Sequence, residues 1–312
     1  MPMATDIATA AASLVSRFRR QRPVRGGSLL VTIFGDSIAP RGGAITLGSL
    51  IGLAAPFGLN ERLVRTAMAR LADDDWLENR RVGRRSEYRL SRAGRERFAT
   101  ATRQIYGVPD ETWTGAWTVV LLPRLRPIQR QGARETLLWA GFGEASPGVF
   151  VHPGLPPSEV ATLRRRSAAL QDAVVLTTTP TPGNSSRSLA ERGWDLAELA
   201  ARYRRFVAQF TPALEALDGR EAPAPLPSFL LRTLLIHEYR KIHLRDPLLP
   251  AALLPSDWVG ADAYRLCRTV YERVAPVAER HLSSEGARID GPLPVAGAEF
   301  SSRFGGLSGE RR

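Results

Sequence analysis

The sequence predicts an α+β protein in three parts: an N-terminal winged helix-turn-helix, a central ferredoxin-like α/β sandwich and a C-terminal helical domain. Three observations point there. An amphipathic helix beginning at Asn60 runs into a basic hairpin that ends at Leu90. Strand and helix patterns then alternate from Ala116 to Thr179, and from Leu189 onward the apolar spacing becomes helical. The expected boundaries are a flexible basic tail over 1–25 and the winged helix with a connecting helix over 26–106. The sandwich follows over 113–182, a helical domain over 189–290, and a tail over 291–312.

The first 25 residues hold one acid, Asp6, and arginines at 17, 19, 20, 22 and 25. An Arg-rich, acid-poor start also suits an organelle transit segment, but Ala8 to Val15 is too weakly apolar for secretion, and the preferred reading is a frayed tail able to brush a nucleic-acid backbone. Gly27 to Ile38 is apolar enough for a first helix, which Arg41-Gly42-Gly43 breaks. Thr46 caps a second helix with Leu47, Leu50, Ile51 and Ala54 on one face. Pro56 to Leu59 is the turn before the key helix. There Asn60 is the cap, and Val64, Ala67, Met68 and Leu71 fall at i, i+3, i+4 and i+7. That face turns inward and leaves Arg62, Arg65, Thr66, Ala69 and Arg70 outside. Trp76 and Tyr88 suit the two strands of the hairpin, and Gly83 supplies its turn. Ser91 starts the connecting helix through Arg103.

In the sandwich, Ala116 to Leu122 reads as a strand, with a helix through Trp139 and a second strand over Gly148 to Val151. A helix over Pro157 to Leu170 and a strand over Ala173 to Thr179 complete it. The Thr-, Pro-, Gly- and Ser-rich stretch from Thr177 to Ser188 reads as a linker. Helices are then expected over Asp195 to Leu217, Pro227 to Leu244 and Ala261 to Val274, with a loop-like tail after Leu282.

Charge locates the function class. The net charge is +12, but Lys241 is the sole lysine, so arginine bias in the genome explains part of the total and position matters more. Between Asn79 and Arg97 stand eight arginines against Glu87 and Glu96. That excess attracts phosphates whatever the fold; the bland alternative is a solvated helix beside an ordinary hairpin. Arg62, Arg65, Thr66, Ala69 and Arg70 are the candidate groove contacts, with Arg65 as guanine reader, while Arg81, Arg84 and Arg85 are assigned to phosphate or minor groove.

Catalytic patterns are thin. Cys267 is the only cysteine, which removes disulfide frameworks and cysteine-based zinc fingers, and no apolar run approaches a bilayer span. His237 and His243 are six apart, where a zinc helix needs four. Gly141-Phe142-Gly143 lacks its third glycine, and neither a phosphate-binding Gly-Lys loop nor a nucleophile elbow occurs. No acid stands in Val119 to Pro123, where a metal-dependent nuclease of this topology needs one. The expectation is a non-enzyme without cofactor or metal.

With these residues in view, the chain resembles the PaaX family of repressors. The blocks that carry the resemblance include Gly35-Asp36-Ser37, Arg41-Gly42-Gly43, Glu61 to Ala67 and Gly83 to Ser86. In the C-terminal third they are Leu235 to Arg240, Asp246 to Pro250, Leu253-Leu254-Pro255, Arg273 to Pro276 and Arg303 to Leu307. The resemblance implies a Cas2-like central domain and a cytoplasmic, nucleoid-associated homodimer on a pseudo-palindromic operator. It implies repression of phenylacetate catabolism, relieved by phenylacetyl-CoA or a related acyl-CoA through a shift between dimer states. The alternatives are an acyl-CoA-processing enzyme or a metal-dependent nuclease with an accessory DNA-binding domain. A CoA ligand wants cations beside aromatics, which singles out His237, Tyr239, Arg240, His243 and Arg245, with Tyr264 and Arg268 on the following helix. Interior packing is the alternative for each of them.

Overall fold

The structure is a computed structural model and describes residues 6–21, 26–108, 113–180, 183–219 and 222–307. In chain order the elements are α1 (Ile7–Arg20), α2 (Gly26–Ile33), β1 (Ala44–Thr46), α3 (Leu47–Ala54), α4 (Glu61–Asp73), β2 (Leu77–Val82), β3 (Arg85–Leu90) and α5 (Arg92–Tyr106). Next come β4 (Thr118–Leu121), α6 (Pro127–Trp139), β5 (Gly143–Ser146), β6 (Val149–His152), α7 (Pro157–Arg166), β7 (Val174–Thr177) and α8 (Gly183–Gly193). The chain continues with α9 (Leu196–Leu217), α10 (Pro225–His243), α11 (Gly260–Glu285), β8 (Ala287–Arg288), β9 (Gly291–Pro292) and α12 (Ala298–Ser301). They form two units: one from 1–108, 203–244 and 261–312, the other from 109–202 and 245–260.

In the first unit α10 is the axis. Its apolar residues lie all round the helix rather than in a stripe, and Phe229, Leu231, Leu235, Ile236 and Tyr239 are fully buried. Such a helix needs cover on every side, and α1, α2 and α5 supply it. Residues 189–290, expected as one domain, are therefore divided between the two units. The expected basic tail over 1–25 is corrected over its described part, with 1–5 and 22–25 outside the described residues. Asp6 accepts a hydrogen bond from the Thr9 amide, and Ile7, Ala10, Ala11, Leu14, Val15 and Phe18 bury one face of α1. Phe18 meets His237 edge-on at 5.7 Å. The arginines of α1 fall on its outer side, which is why the segment looked like a solvated arm.

A buried carboxylate fastens this unit. Asp36 accepts from Arg232 Nε at 2.8 Å, Arg303 NH1 at 2.9 Å, and the Tyr106 and Tyr271 hydroxyls at 2.7 and 2.8 Å. Arg232 also reaches Ser37 Oγ at 2.8 Å and Glu279 at 2.7 Å, and Arg41 pairs with Glu279. The Arg303 guanidinium lies 4.1 Å from the Tyr106 ring centroid. Burial alone pushes the Asp36 carboxyl up, but Arg232, Arg303 and the two phenols outweigh it and hold it below its ordinary range. Burial likewise pushes Arg41 down to about 10, and Arg232 beside it adds to the effect. The expected C-terminal tail is thus corrected over its described part: β8 pairs with β9, and Phe300, Arg303 and Phe304 are buried in this cluster.

The second unit is a βαββαβ sandwich with an antiparallel sheet in the order β5-β6-β4-β7, the ferredoxin-like arrangement. Alternation along β4 and β6 sends Val120 and Phe150 toward α6 and α7, where Leu137, Phe142 and Val160 meet them. Their neighbours Trp117 and Val151 face the opposite layer with Ala190, Leu196, Leu249 and Leu253. β5 escapes a sequence reading because Gly143 to Ser146 carries no β-branched or aromatic residue. The expected linker over 177–188 is also corrected, with 181–182 outside the described residues. Ser186 and Ala190 lie one helical turn apart on α8, and Ser186 Oγ accepts from Trp117 Nε1 at 3.2 Å.

Candidate nucleic-acid interface

Sequence dictates how α4 is presented. Asn60 Oδ1 accepts from the Leu63 amide at 2.9 Å, fixing the first turn. Val64 and Met68 are fully buried against the elements below, so the helix cannot roll. Gly58, at φ 83°, makes the left-handed turn that leads into it. Arg62, Arg65, Thr66, Ala69 and Arg70 are all exposed, as the periodicity requires.

The hairpin is a three-stranded sheet in the order β1-β3-β2, with Leu77 opposite Leu90 and Val82 opposite Arg85. Gly83 at φ 59° closes its tip. The base is rigid. Ser91 Oγ accepts from the Gly94 amide and donates to the Asp75 carbonyl, both at 2.8 Å, and Trp76 packs edge-on to Phe98 at 5.4 Å. Glu87 is buried and accepts from the Ile289 amide at 2.8 Å, so one of the two acids in this basic stretch turns away from the surface.

The arginines then separate into two groups. Arg89 pairs with Glu87, Arg92 with Glu96, and Arg95 and Arg97 donate to the carbonyls of Leu90 and Asp74. Arg65 is held by Glu61 at 2.6 Å, and Arg81 reaches the Gly83 carbonyl at 3.3 Å. Arg62, Arg70, Arg80, Arg84 and Arg85 are exposed and make no hydrogen bond or ion pair among the described residues. Arg80 belongs to the basic stretch from Asn79 to Arg97, and that local excess of arginine is its only signal in the sequence. Free guanidinium forks on a rigid helix and hairpin tip are suited to phosphate oxygens and base edges.

The residues singled out for an effector are placed otherwise. His237 is buried with Nδ1 2.9 Å from Thr32 Oγ1. Tyr239 stacks on His243 at 4.7 Å and packs against Phe206. His243 engages the Tyr203 hydroxyl at 3.0 Å and the Gln104 carbonyl at 3.1 Å. Arg240 donates to Ser28 at 2.7 and 2.8 Å and to Thr32 at 2.8 Å, and burial pushes its pKa down. Tyr264 packs on Phe304, Arg268 pairs with Glu272, and Arg245 is exposed in the second unit. These partners tie α10 to α2, α5 and α9. Among the described residues no group of three His, Cys, Asp or Glu side chains could hold a metal, and no helix is long and apolar enough to cross a membrane.

Comparison with known proteins gives concordant matches along the chain. The model for PaaX-like protein matches residues 25–94, that for the PaaX protein central Cas2-like domain 110–190, and that for the PaaX-like protein C-terminal domain 194–284. The transcriptional repressor PaaX of Escherichia coli (strain K12) is 38% identical over 294 residues, 93% of each chain. An uncharacterized protein from Mycobacterium tuberculosis aligns at a TM-score of 0.48 and 22% identity, over 73% of this chain and 89% of that one.

Proposed function

The chain belongs to the PaaX family, and from that premise we propose that it is a transcriptional repressor of phenylacetic acid catabolism. Its DNA-binding element is a winged helix-turn-helix in which α3 and α4 are the two helices and β2–β3 the wing. The observation that carries this reading is the set of exposed arginines on α4 and the hairpin that have no partner among the described residues. α4 enters the major groove with Arg62, Thr66 and Arg70 toward base edges. Arg65 joins them on exchanging Glu61 for a guanine, while Arg80, Arg84 and Arg85 follow the phosphates. Two copies related by a twofold axis place two such helices on a pseudo-palindromic operator. An acyl-CoA, phenylacetyl-CoA or a relative, relieves repression. The protein works on the nucleoid in the cytoplasm and performs no catalysis.

Fluorescence anisotropy with a promoter duplex over a salt series tests the reading. Loss of one phosphate contact in Arg84→Ala lowers the slope of log K against log salt by about 1. Arg62→Ala instead erodes the preference for operator over random duplex. A chain that ignores duplex DNA at low salt, or variants that bind like the parent, would reject it.

A further inference from the structure

Three recesses among the described residues of the first unit bear on ligand binding. One, behind Trp76, Phe98 and Arg240, measures about 80 Å³, room for a few waters at about 30 Å³ each. A second, about 410 Å³ along α1, has arginines already engaged: Arg19 donates to the Pro56 carbonyl and Arg20 to Ser16. The third, about 510 Å³, runs between α2 and α4. Val31, Leu63 and Leu71 give it an apolar wall, and Arg62, Thr66 and Arg70, spaced one turn apart on α4, give it a polar edge. Both arginines of that edge lack any partner among the described residues. Its size is that of a small-ligand site, and its chemistry asks for an anion at one end and an apolar group at the other.

We propose that the α2–α4 groove binds a small phosphate ester with an apolar tail, such as an acyl-CoA. A ligand seated there takes the same arginines that DNA needs. Release is then direct competition, not a change of spacing within a dimer. This deepens the reading of α4 as the DNA helix and rests on it. The two modes differ in form. An allosteric ligand loses affinity on DNA only up to a fixed coupling factor. A competing one loses affinity in proportion to duplex concentration, without a ceiling.

Calorimetric titration of the full chain with phenylacetyl-CoA, and with CoA alone as the phosphate probe, separates the cases. Without DNA, the Arg62→Ala, Arg70→Ala double variant is expected to lose tenfold or more in affinity for both probes. Arg265→Ala, which removes one like charge from α11, should leave it unchanged. With a promoter duplex present, the apparent Kd of the thioester should climb linearly. A plateau, a ternary complex in gel filtration, or full affinity in the double variant would overturn the proposal, as would failure of any thioester to bind. Arginine-dependent thioester binding by a chain that holds no duplex would uphold the site and reject the DNA reading instead.

Discussion

The two units are built by opposite means. In the first, a carboxylate among guanidiniums and phenols joins segments as much as 267 residues apart. In the second, two apolar layers flank a sheet, and among the described residues no charged side chain is fully buried there. Apolar packing is forgiving of shape as long as volume is kept. A buried ionic cluster is not, because each member left alone is a desolvated charge. The first unit thereby gains a definite arrangement of α2, α5, α10 and α11, which underlie α4 and the β2–β3 hairpin.

Breaking the cluster should have the largest effect. Asp36→Asn keeps the volume but leaves Arg232 and Arg303 with too little counter-charge, and should cost about 3–5 kcal/mol. Urea unfolding with hydrogen exchange should place the loss in first-unit peptides; a loss below about 1 kcal/mol would make the cluster ornamental. Leu137→Ala, the apolar counterpart, should cost about 2–5 kcal/mol in second-unit peptides, whereas Leu137→Met stays within about 1.5 kcal/mol.

Acid sharpens the contrast. Burial pushes His152 in the second unit down to about 4 from an ordinary 6.5. The unfolded chain therefore takes up that proton first, and stability falls as pH drops from about 6.5 toward about 4. Asp36, held low, contributes fully above its ordinary 3.8 and fails only below that. His281, lowered less, gives the first unit a weaker share of the histidine effect. Calorimetry at pH 7 and 5 should show a melting-temperature drop that His152→Phe reduces; an equal drop in that variant would dismiss the histidine. The smallest expected effect is Asn60→Ala, about 1 kcal/mol from the lost cap, read as faster exchange in the first turn of α4.

What was legible in the sequence follows from the range of the interactions. The caps at Thr46, Asn60 and Ser91, the face Val64-Met68 and the turn at Gly83 are local, and the structure reproduces them. The helix over Ala261 to Val274 was legible too, but it runs on through Pro276 to Glu285. α1 was readable in principle, since its buried residues recur at helical spacing behind Asp6, but alanines make that face look weak. The Asp36 cluster has no local signature, because its members come from five distant stretches. For the same reason, the partners that His237 and His243 find on α2, α5 and α9 have no signal in the spacing of α10 itself.

Arg303 has one further consequence. As a ribosome makes this chain, Asp36 emerges long before the guanidinium that completes its neutralisation. The sheet of the second unit, with both of its apolar layers, is delivered in between. The unit that carries α4 and the hairpin is therefore begun before the second unit and completed after it, and a nascent chain stalled before residue 303 would present that unit without its keystone.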